Sequence, residues 1–187
     1  MALTESQLLT LKADIQSKPV FWLDGTQMSN NEDIALYYNA IASPDFMVWD
    51  EQADVQAIYN AIDWAKMTPQ APSAADATGI YRDRALDCQG KQFNLQTMLQ
   101  GRETINASKI NIRAGLQDAL TGIPSKADGT NQSAGWATVQ TTLQKKATNI
   151  EKLFSTGTGT AVSPATITSG LSNHLVSPDE VVTALNS

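Results

Sequence analysis

Apolar residues recur at helical spacing in several separate stretches of the chain. Near the start, Leu8, Leu11 and Ile15 lie three to four residues apart, which predicts a first helix over residues 4–17. Thr4 stands three residues before a glutamine, as in a capping box, and this spacing favours a helix start there. The pattern therefore indicates an amphipathic N-terminal helix.

Two further helices are predicted in the first third of the chain. One begins at a second capping box, formed by Ser29 and Glu32, and ends before Pro44. The next begins at Asp50 or Asp54 and places its apolar residues on one face. These residues are Val55, Ile58, Tyr59 and Ile62.

The second half of the chain predicts three more helices. The first covers residues 80–100, the second begins at Asn106 and ends near Gly122, and the longest covers residues 134–154. The apolar groups of the first of them are Tyr81, Leu86, Phe93, Leu95, Met98 and Leu99. A break rich in proline and small residues separates these helices from the N-terminal ones.

The last stretch changes character and becomes rich in Thr, Ser and Gly, which predicts a mobile or extended segment. Two β-branched pieces on either side of Gly170 predict a small hairpin. A short helix follows, with Ser177 as its cap and Pro178 as its first residue.

These elements predict a mainly α fold, a helical bundle of about five to six helices with a small C-terminal β-hairpin and an extended arm. Four sequential parts are expected. Residues 1–67 form an acidic helical part, 68–79 a linker or loop, 80–155 a central helical part, and 156–187 a Gly/Thr-rich hinge and a C-terminal arm with a short helix.

Charge is distributed unevenly along the 187 residues. Residues 1–76 contain eleven acids and three bases, whereas residues 77–155 contain six acids and ten bases, within an overall net charge of -6. Such a chain can stack head to tail, or turn a basic face toward an acidic partner or DNA. The alternative is that the charges only solvate helix faces. The candidate basic contacts are Lys109, Arg113, Lys145, Lys146 and Lys152.

Residues typical of catalysis are sparse. His174 is the one histidine and Cys88 the one cysteine, so a catalytic triad or a multi-histidine metal site would have to use His174. The carboxylates gather at helix starts, where acids are favoured by the helix dipole. We therefore expect no catalytic, metal or cofactor site, and a protein that is not an enzyme.

The short C-terminal helix contains only three apolar residues, Val181, Val182 and Leu185, and is too short to be stable alone. We therefore expect it to dock on another molecule. The chain has no apolar run of the ~20 residues that a membrane span needs, and its start lacks a signal-peptide pattern. A protein made and kept in a reducing cytoplasm is expected.

Three segments carry a resemblance to a known family: "YYNAIASPDFMVW", "INASKINIRAGLQDAL" and "KKATNIEKLFSTGTGTAVSPATIT". They resemble small structural proteins of tailed bacteriophages, encoded near the capsid and tail genes. The chain departs from these proteins before "INASK", where they have a Trp-rich helix. Here the segment reads "CQGKQFNLQTMLQGRE", and Phe93 is the one aromatic residue in it.

The resemblance implies a head-to-tail connector or adaptor of the virion neck, made in the cytoplasm of the bacterial host. It implies a homo-oligomeric ring of about twelve subunits that contacts portal and tail or neck proteins and lets DNA pass without reading its sequence. No membrane contact and no cofactor are implied. Two alternatives stay open: a tail-completion or terminator protein, and a small enzyme or regulatory protein.

Overall fold

The computed structural model describes residues 2–72, 80–168 and 170–187. These residues contain nine helices and eight short strands, and 47% of the described residues are in helix and 13% in strand. The fold is therefore mixed α/β, and the prediction of a mainly α bundle of about five to six helices is wrong. The sequence does not predict most of these strands, because each has only two or three residues, too few to show an alternation of polar and apolar positions.

The helices lie between short strands along the whole chain. The helices are α1 Glu5–Gln16, α2 Asn31–Asn39, α3 Val55–Ala61, α4 Trp64–Met67, α5 Ile80–Leu99, α6 Ile110–Leu120, α7 Trp136–Thr142, α8 Asn149–Leu153 and α9 Pro178–Asn186. The strands are β1 Trp22–Leu23, β2 Thr26–Gln27, β3 Met47–Trp49, β4 Ala53–Asp54, β5 Thr104–Ile105, β6 Gln144–Lys146, β7 Ser155–Thr156 and β8 Thr166–Ile167. Antiparallel pairs join β1 to β2, β4 to β5 and β7 to β8.

The chain divides into two compact units. Unit 1 consists of Met1–Val48 and Lys146–Ser187, and unit 2 is Trp49–Lys145. The sequence pattern predicts sequential parts, whereas unit 1 is built from both ends of the chain. Periodicity shows that a helix has an apolar face, but it does not show which distant segment covers that face. Of the predicted linker, residues 73–79 lie outside the described residues.

In unit 1 the core forms where α9 packs on α1 and α2, and where α8 packs on α2. Fully buried side chains come from both ends of the sequence. Members of this core include Leu11, Ile15, Phe21, Ile34, Tyr38, Val48, Ile150, Ile167 and Val181.

The C-terminal helix is held to its own unit by polar contacts as well as by apolar ones. Ser177 is the cap, as predicted, and it forms a capping box with Glu180, with Pro178 in the first turn. Just before the helix, the side-chain amide of Asn39 donates to the Val176 carbonyl at 2.9 Å and accepts from the Val176 N–H at 2.8 Å. The start of the helix is confirmed, but its expected role as an arm is wrong, because α9 packs into the core of unit 1.

In unit 2 the longest helix, α5, packs on α6, and α7 packs on α3 and α6. The buried face of α5 consists of Arg84, Cys88, Leu95 and Leu99. The Arg84 guanidinium donates to the Ser125 carbonyl at 3.0 Å, and this bond accompanies the burial of its charge. Further core residues are Val55, Ile58, Met67, Leu116, Leu120, Ile123, Val139 and Leu143.

The predicted helix over residues 134–154 is interrupted by a short strand. Helix α7 ends at Thr142, β6 follows, and α8 begins after Thr148. The side chain of Thr148 accepts from the Glu151 N–H, and the Glu151 carboxylate accepts from the Thr148 N–H. This capping box starts a new helix within the apolar repeat, so two short helices stand where the repeat predicts one long helix.

The predicted hairpin around Gly170 is also wrong. Strand β8 pairs instead with β7, with Ser155 opposite Ile167 and Thr156 opposite Thr166. The Thr168 N–H donates to the Phe154 carbonyl at 2.9 Å and extends this pairing. The Gly/Thr-rich segment between the two strands is therefore the connection of a hairpin within unit 1.

Helix starts agree with the sequence to different degrees. The capping box at Thr4 and the Asp54 cap of α3 are confirmed. Helix α2 is capped by Asn30, one residue after the predicted Ser29. Helix α6 begins at Ile110, because the Asn106 side chain accepts from the nearby Ser108 N–H and forms a turn before the helix.

Burial of α9 predicts unequal effects at two adjacent valines. Val181→Ala removes methyl groups from the core of unit 1 and should lower the free energy of unfolding by about 2 kcal/mol. Val182→Ala is the matched control, because Val182 is 40% exposed and its replacement should change stability by less than about 0.5 kcal/mol. Urea denaturation followed by circular dichroism measures both. Equal losses at the two positions would contradict the burial of α9.

A second prediction concerns two glycines with the same backbone conformation. Gly135 has φ +84° and Gly129 has φ +79°, but a Cβ on Gly135 would lie 2.8 Å from the Ala61 carbonyl oxygen, whereas one on Gly129 meets nothing within 4 Å. Gly129→Ala should cost about 1 kcal/mol from backbone strain alone, and Gly135→Ala at least about 3 kcal/mol. Thermal and urea unfolding of the two variants test this difference, and equal costs would argue against the contact.

Candidate functional site

The outer face of α5 exposes large apolar side chains. Leu86 is 57% exposed and Phe93 is 68% exposed, and their spacing of seven residues puts them on the same side of the helix. Gly90 lies between them, and a Cβ there would meet nothing within 4 Å. We call Leu86, Gly90 and Phe93 the α5 stripe.

Leu86 and Phe93 are two of the apolar residues that the sequence places on this helix, and the structure exposes both of them. Cys88, Leu95 and Leu99 follow one another at intervals of seven and four, and they form the buried face. Leu86 and Phe93 fall outside this series. The sequence contained that signal, but the surplus of apolar residues on α5 concealed which of two stripes would be covered.

A second exposed surface lies on α2 in unit 1. Leu36 is 67% exposed, and Glu32 and Asp33 are exposed in the first turn of the helix. Neither carboxylate makes an ion pair or a side-chain hydrogen bond with another residue of the described chain. We call Glu32, Asp33 and Leu36 the α2 outer face. Its acids lie at the helix start, as the sequence predicts.

A groove of about 580 Å³ opens in unit 2 between the end of α5, strand β5 and the start of α6. Its lining residues are Thr97, Met98, Arg102, Thr104, Ile105, Asn106, Lys109, Asn111 and Ile112. The side chains of Arg102 and Lys109 form no ion pair or hydrogen bond within the described part of the chain. We call this the cationic groove. Apolar side chains contribute to its lining, and two acids adjoin it, because Glu103 follows Arg102 and the Glu51 carboxylate accepts from the Ser108 hydroxyl beside Lys109.

Of the predicted basic contacts, Lys109 lies in the cationic groove and Arg113 lies beside it on α6. The Arg113 guanidinium donates to the carbonyls of Ala107 and Ser108 at 2.6 and 2.9 Å, and its carbon lies 4.3 Å from the centre of the Trp49 ring. Burial lowers the pKa of Arg113 below its usual value. Arg113 therefore holds the turn before α6 in place.

The other basic candidates are divided between the units. Lys145 belongs to unit 2, whereas Lys146 and Lys152 belong to unit 1. Lys146 forms an ion pair with Asp45 at 2.6 Å, and the Lys152 ammonium lies 5.5 Å from the centre of the Phe46 ring. The predicted basic residues are therefore not collected within one unit. Arg102 was not among the basic residues predicted from the sequence, and the structure places it with Lys109 in the lining of one groove.

The three apolar candidates of the C-terminal helix have different environments. Val181 is completely buried and Leu185 is partly buried against the core of unit 1. Val182 is the one of the three that is exposed. A helix this short needs tertiary contacts, as the sequence predicts, but α1 and α2 provide them within the same chain.

Two titratable clusters in unit 1 are used for structure. The Tyr38 hydroxyl donates to the Asp14 carboxylate at 2.5 Å, and Lys18 pairs with the same carboxylate. Burial and the bond to this carboxylate raise the pKa of Tyr38 above its usual range. His174 lies 3.3 Å from Glu180, the acid of the α9 capping box. The Tyr38–Asp14 bond links α2 to α1, and the Glu180 carboxylate also accepts from the Leu3 N–H at 3.2 Å, which links α9 to the start of the chain.

In the described ranges 2–72, 80–168 and 170–187, no three His, Cys, Asp or Glu side chains are grouped so that they could hold a metal ion. Burial raises the pKa of the Cys88 thiol. None of the helices placed by the structure is both long and apolar enough to cross a membrane.

Comparisons with protein-family models, with curated proteins and with solved structures find no match to the chain.

Proposed function

We propose that the protein is a structural component of a tailed-phage virion, a head-to-tail adaptor of the neck that forms a ring between portal and tail. The observation that carries an assembly role is the α5 stripe. A helix that exposes Leu86 and Phe93 on one side presents an apolar surface that another protein would cover. The resemblance of three sequence segments to structural proteins of tailed phages supports the neck as the place of this assembly role.

The exposed apolar surface of the chain extends beyond the α5 stripe. Fifteen large apolar residues among those described are exposed, and they belong to both units. Scattered single residues of this kind are ordinary on a protein surface. Those aligned on one helix, or placed beside unpaired charges as in the cationic groove, favour contacts with other subunits.

Charge supports the passage of DNA through such a ring. The chain has a net charge of -6, and unit 1, with nine acids and four bases, contributes -5 of this. A lumen lined by an acidic surface repels the phosphate backbone, which suits a channel through which DNA moves without being held. Local cations in unit 2 suit contacts with acidic protein surfaces.

Deleting the gene from the phage that encodes it tests the role in the neck. We expect filled heads and separate tails in place of complete particles, and restoration of complete particles by a plasmid copy. Electron microscopy with an antibody against the protein should place the label between head and tail. Normal particles after deletion, or label on the capsid shell or tail tip, would argue against the proposal.

Polar replacement of the α5 stripe should separate folding from assembly. Leu86→Ser with Phe93→Ser removes only exposed apolar area and should change the free energy of unfolding by less than about 1 kcal/mol. The amount of protein in purified particles should fall at least about tenfold.

Gln52→Ser with Gln117→Ser is the control, because both residues are exposed in unit 2 and neither lies on α5. The control should be incorporated like the unaltered protein. Full incorporation of the Leu86/Phe93 variant would remove the main structural support for the proposal.

A further inference from the structure

We propose that the cationic groove of one copy receives the α2 outer face of a second copy, and that this contact is the repeating contact of the assembly. The inference rests on the proposed ring. It names which two surfaces meet, and it joins unit 2 of one molecule to unit 1 of the next.

The chemistry of the groove calls for an acidic and partly apolar occupant. Arg102 and Lys109 are exposed at its edge and have no ion-pair partner among the described residues. Met98 and Ile112, which are half-buried, line the same space. Ile110, the residue after Lys109, is 74% exposed at the start of α6. A ligand that carried charge alone would leave this apolar surface in water.

The α2 outer face has the complementary composition in one short helical segment. Glu32 and Leu36 are one turn apart, and Asp33 adjoins Glu32, so two carboxylates and one apolar side chain project from neighbouring turns. The acids lack cationic partners in the described part of their own chain. An apolar anchor with acids at one end fits a groove with apolar side chains in its lining and cations at its edge.

The net charges of the two units favour this pairing over contacts between like units. Unit 1 has a net charge of -5, whereas unit 2, with ten acids and nine bases, has -1. Two copies of unit 1 repel one another, while the two cations of the groove attract an acidic unit locally. Exposed ion pairs add little to the free energy of binding, so the charges select the partner and Leu36 supplies apolar contact.

Because the two surfaces differ, the contact is head to tail. Each copy offers one groove and one α2 outer face, so every contact leaves one of each for the next copy. Such heterologous contacts close into rings or continue as filaments. This arrangement uses the same pair of surfaces in every subunit.

Charge reversal of the full-length protein tests the pairing. One variant combines Arg102→Glu with Lys109→Glu, and the other combines Glu32→Lys with Asp33→Lys. Each alone should raise the dissociation constant for self-association at least about tenfold, because like charges then face each other at every contact. Analytical ultracentrifugation or mass photometry over a concentration series measures this constant, and circular dichroism verifies folding.

Mixing the two variants should restore assembly. In the mixture the acidic groove of the first variant accepts the basic α2 of the second, and the basic groove of the second accepts the acidic α2 of the first. Alternating copies then assemble, although neither variant does so alone. A chain that carries all four substitutions should assemble for the same reason. A non-specific loss of solubility or folding produces neither rescue.

Lys66→Glu with Lys126→Glu is the control with the same change in net charge at two cations of unit 2 that lie outside the groove and are not on α5. It should leave self-association within about twofold of the unaltered chain. Arg102→Gln with Lys109→Gln provides a milder second variant, for which a smaller loss of association is expected.

The outcomes separate the contact from the proposed function. If the unaltered protein assembles and both charge-reversed variants assemble equally well, the contact is overturned while the neck role stands. If the groove variant self-associates normally but is lost from particles, the groove binds another virion protein and the second copy is excluded as its occupant. If the unaltered protein stays monomeric and particles form without it, the proposed function itself fails.

Discussion

Tertiary burial of short helices is the constraint on which this structure depends. Every described helix except α5 has twelve residues or fewer, below the length at which an isolated helix is stable in water. Each must cover its apolar face with segments from elsewhere in the chain. In unit 1 this requirement joins α9 to α1 and α2, and the first and last parts of the sequence form one core.

The same constraint explains which surfaces are left for function. Short helices and strands of two or three residues cover their inner faces, and fifteen large apolar residues among those described stay exposed, including an aligned pair on α5 and Leu36 beside the acids of α2. The polar clusters around Asp14 and Glu180 are used to hold the core segments together. Three surfaces remain exposed: the apolar α5 stripe, the acidic α2 outer face and the cationic groove. This pattern suits a protein that acts by binding other subunits.

Individual elements were predictable where a local signal is strong. The capping box at Thr4, the Ser177 cap and the long helix α5 lie where the sequence indicates. The prediction of one helix over residues 134–154 was wrong. A capping box at Thr148 lies inside the apolar repeat, and its hydrogen bonds start a new helix there. The prediction of a hairpin around Gly170 was wrong. A short β-branched segment can pair with several strands, and β8 pairs with β7.

The candidate site divides in the same way. Lys109 and the acids of α2 were visible as charges in sequence, but Arg102 gained meaning only when α5, β5 and α6 enclosed one groove. The sequence by itself determined the helix starts, the charge asymmetry and the scarcity of histidine and cysteine, since these depend on neighbouring residues or on composition. Only the tertiary structure decided that α9 is internal, that Leu86 and Phe93 are exposed, and that the two ends of the chain share a core. Burial depends on which distant segments meet, and local periodicity contains no information about that choice.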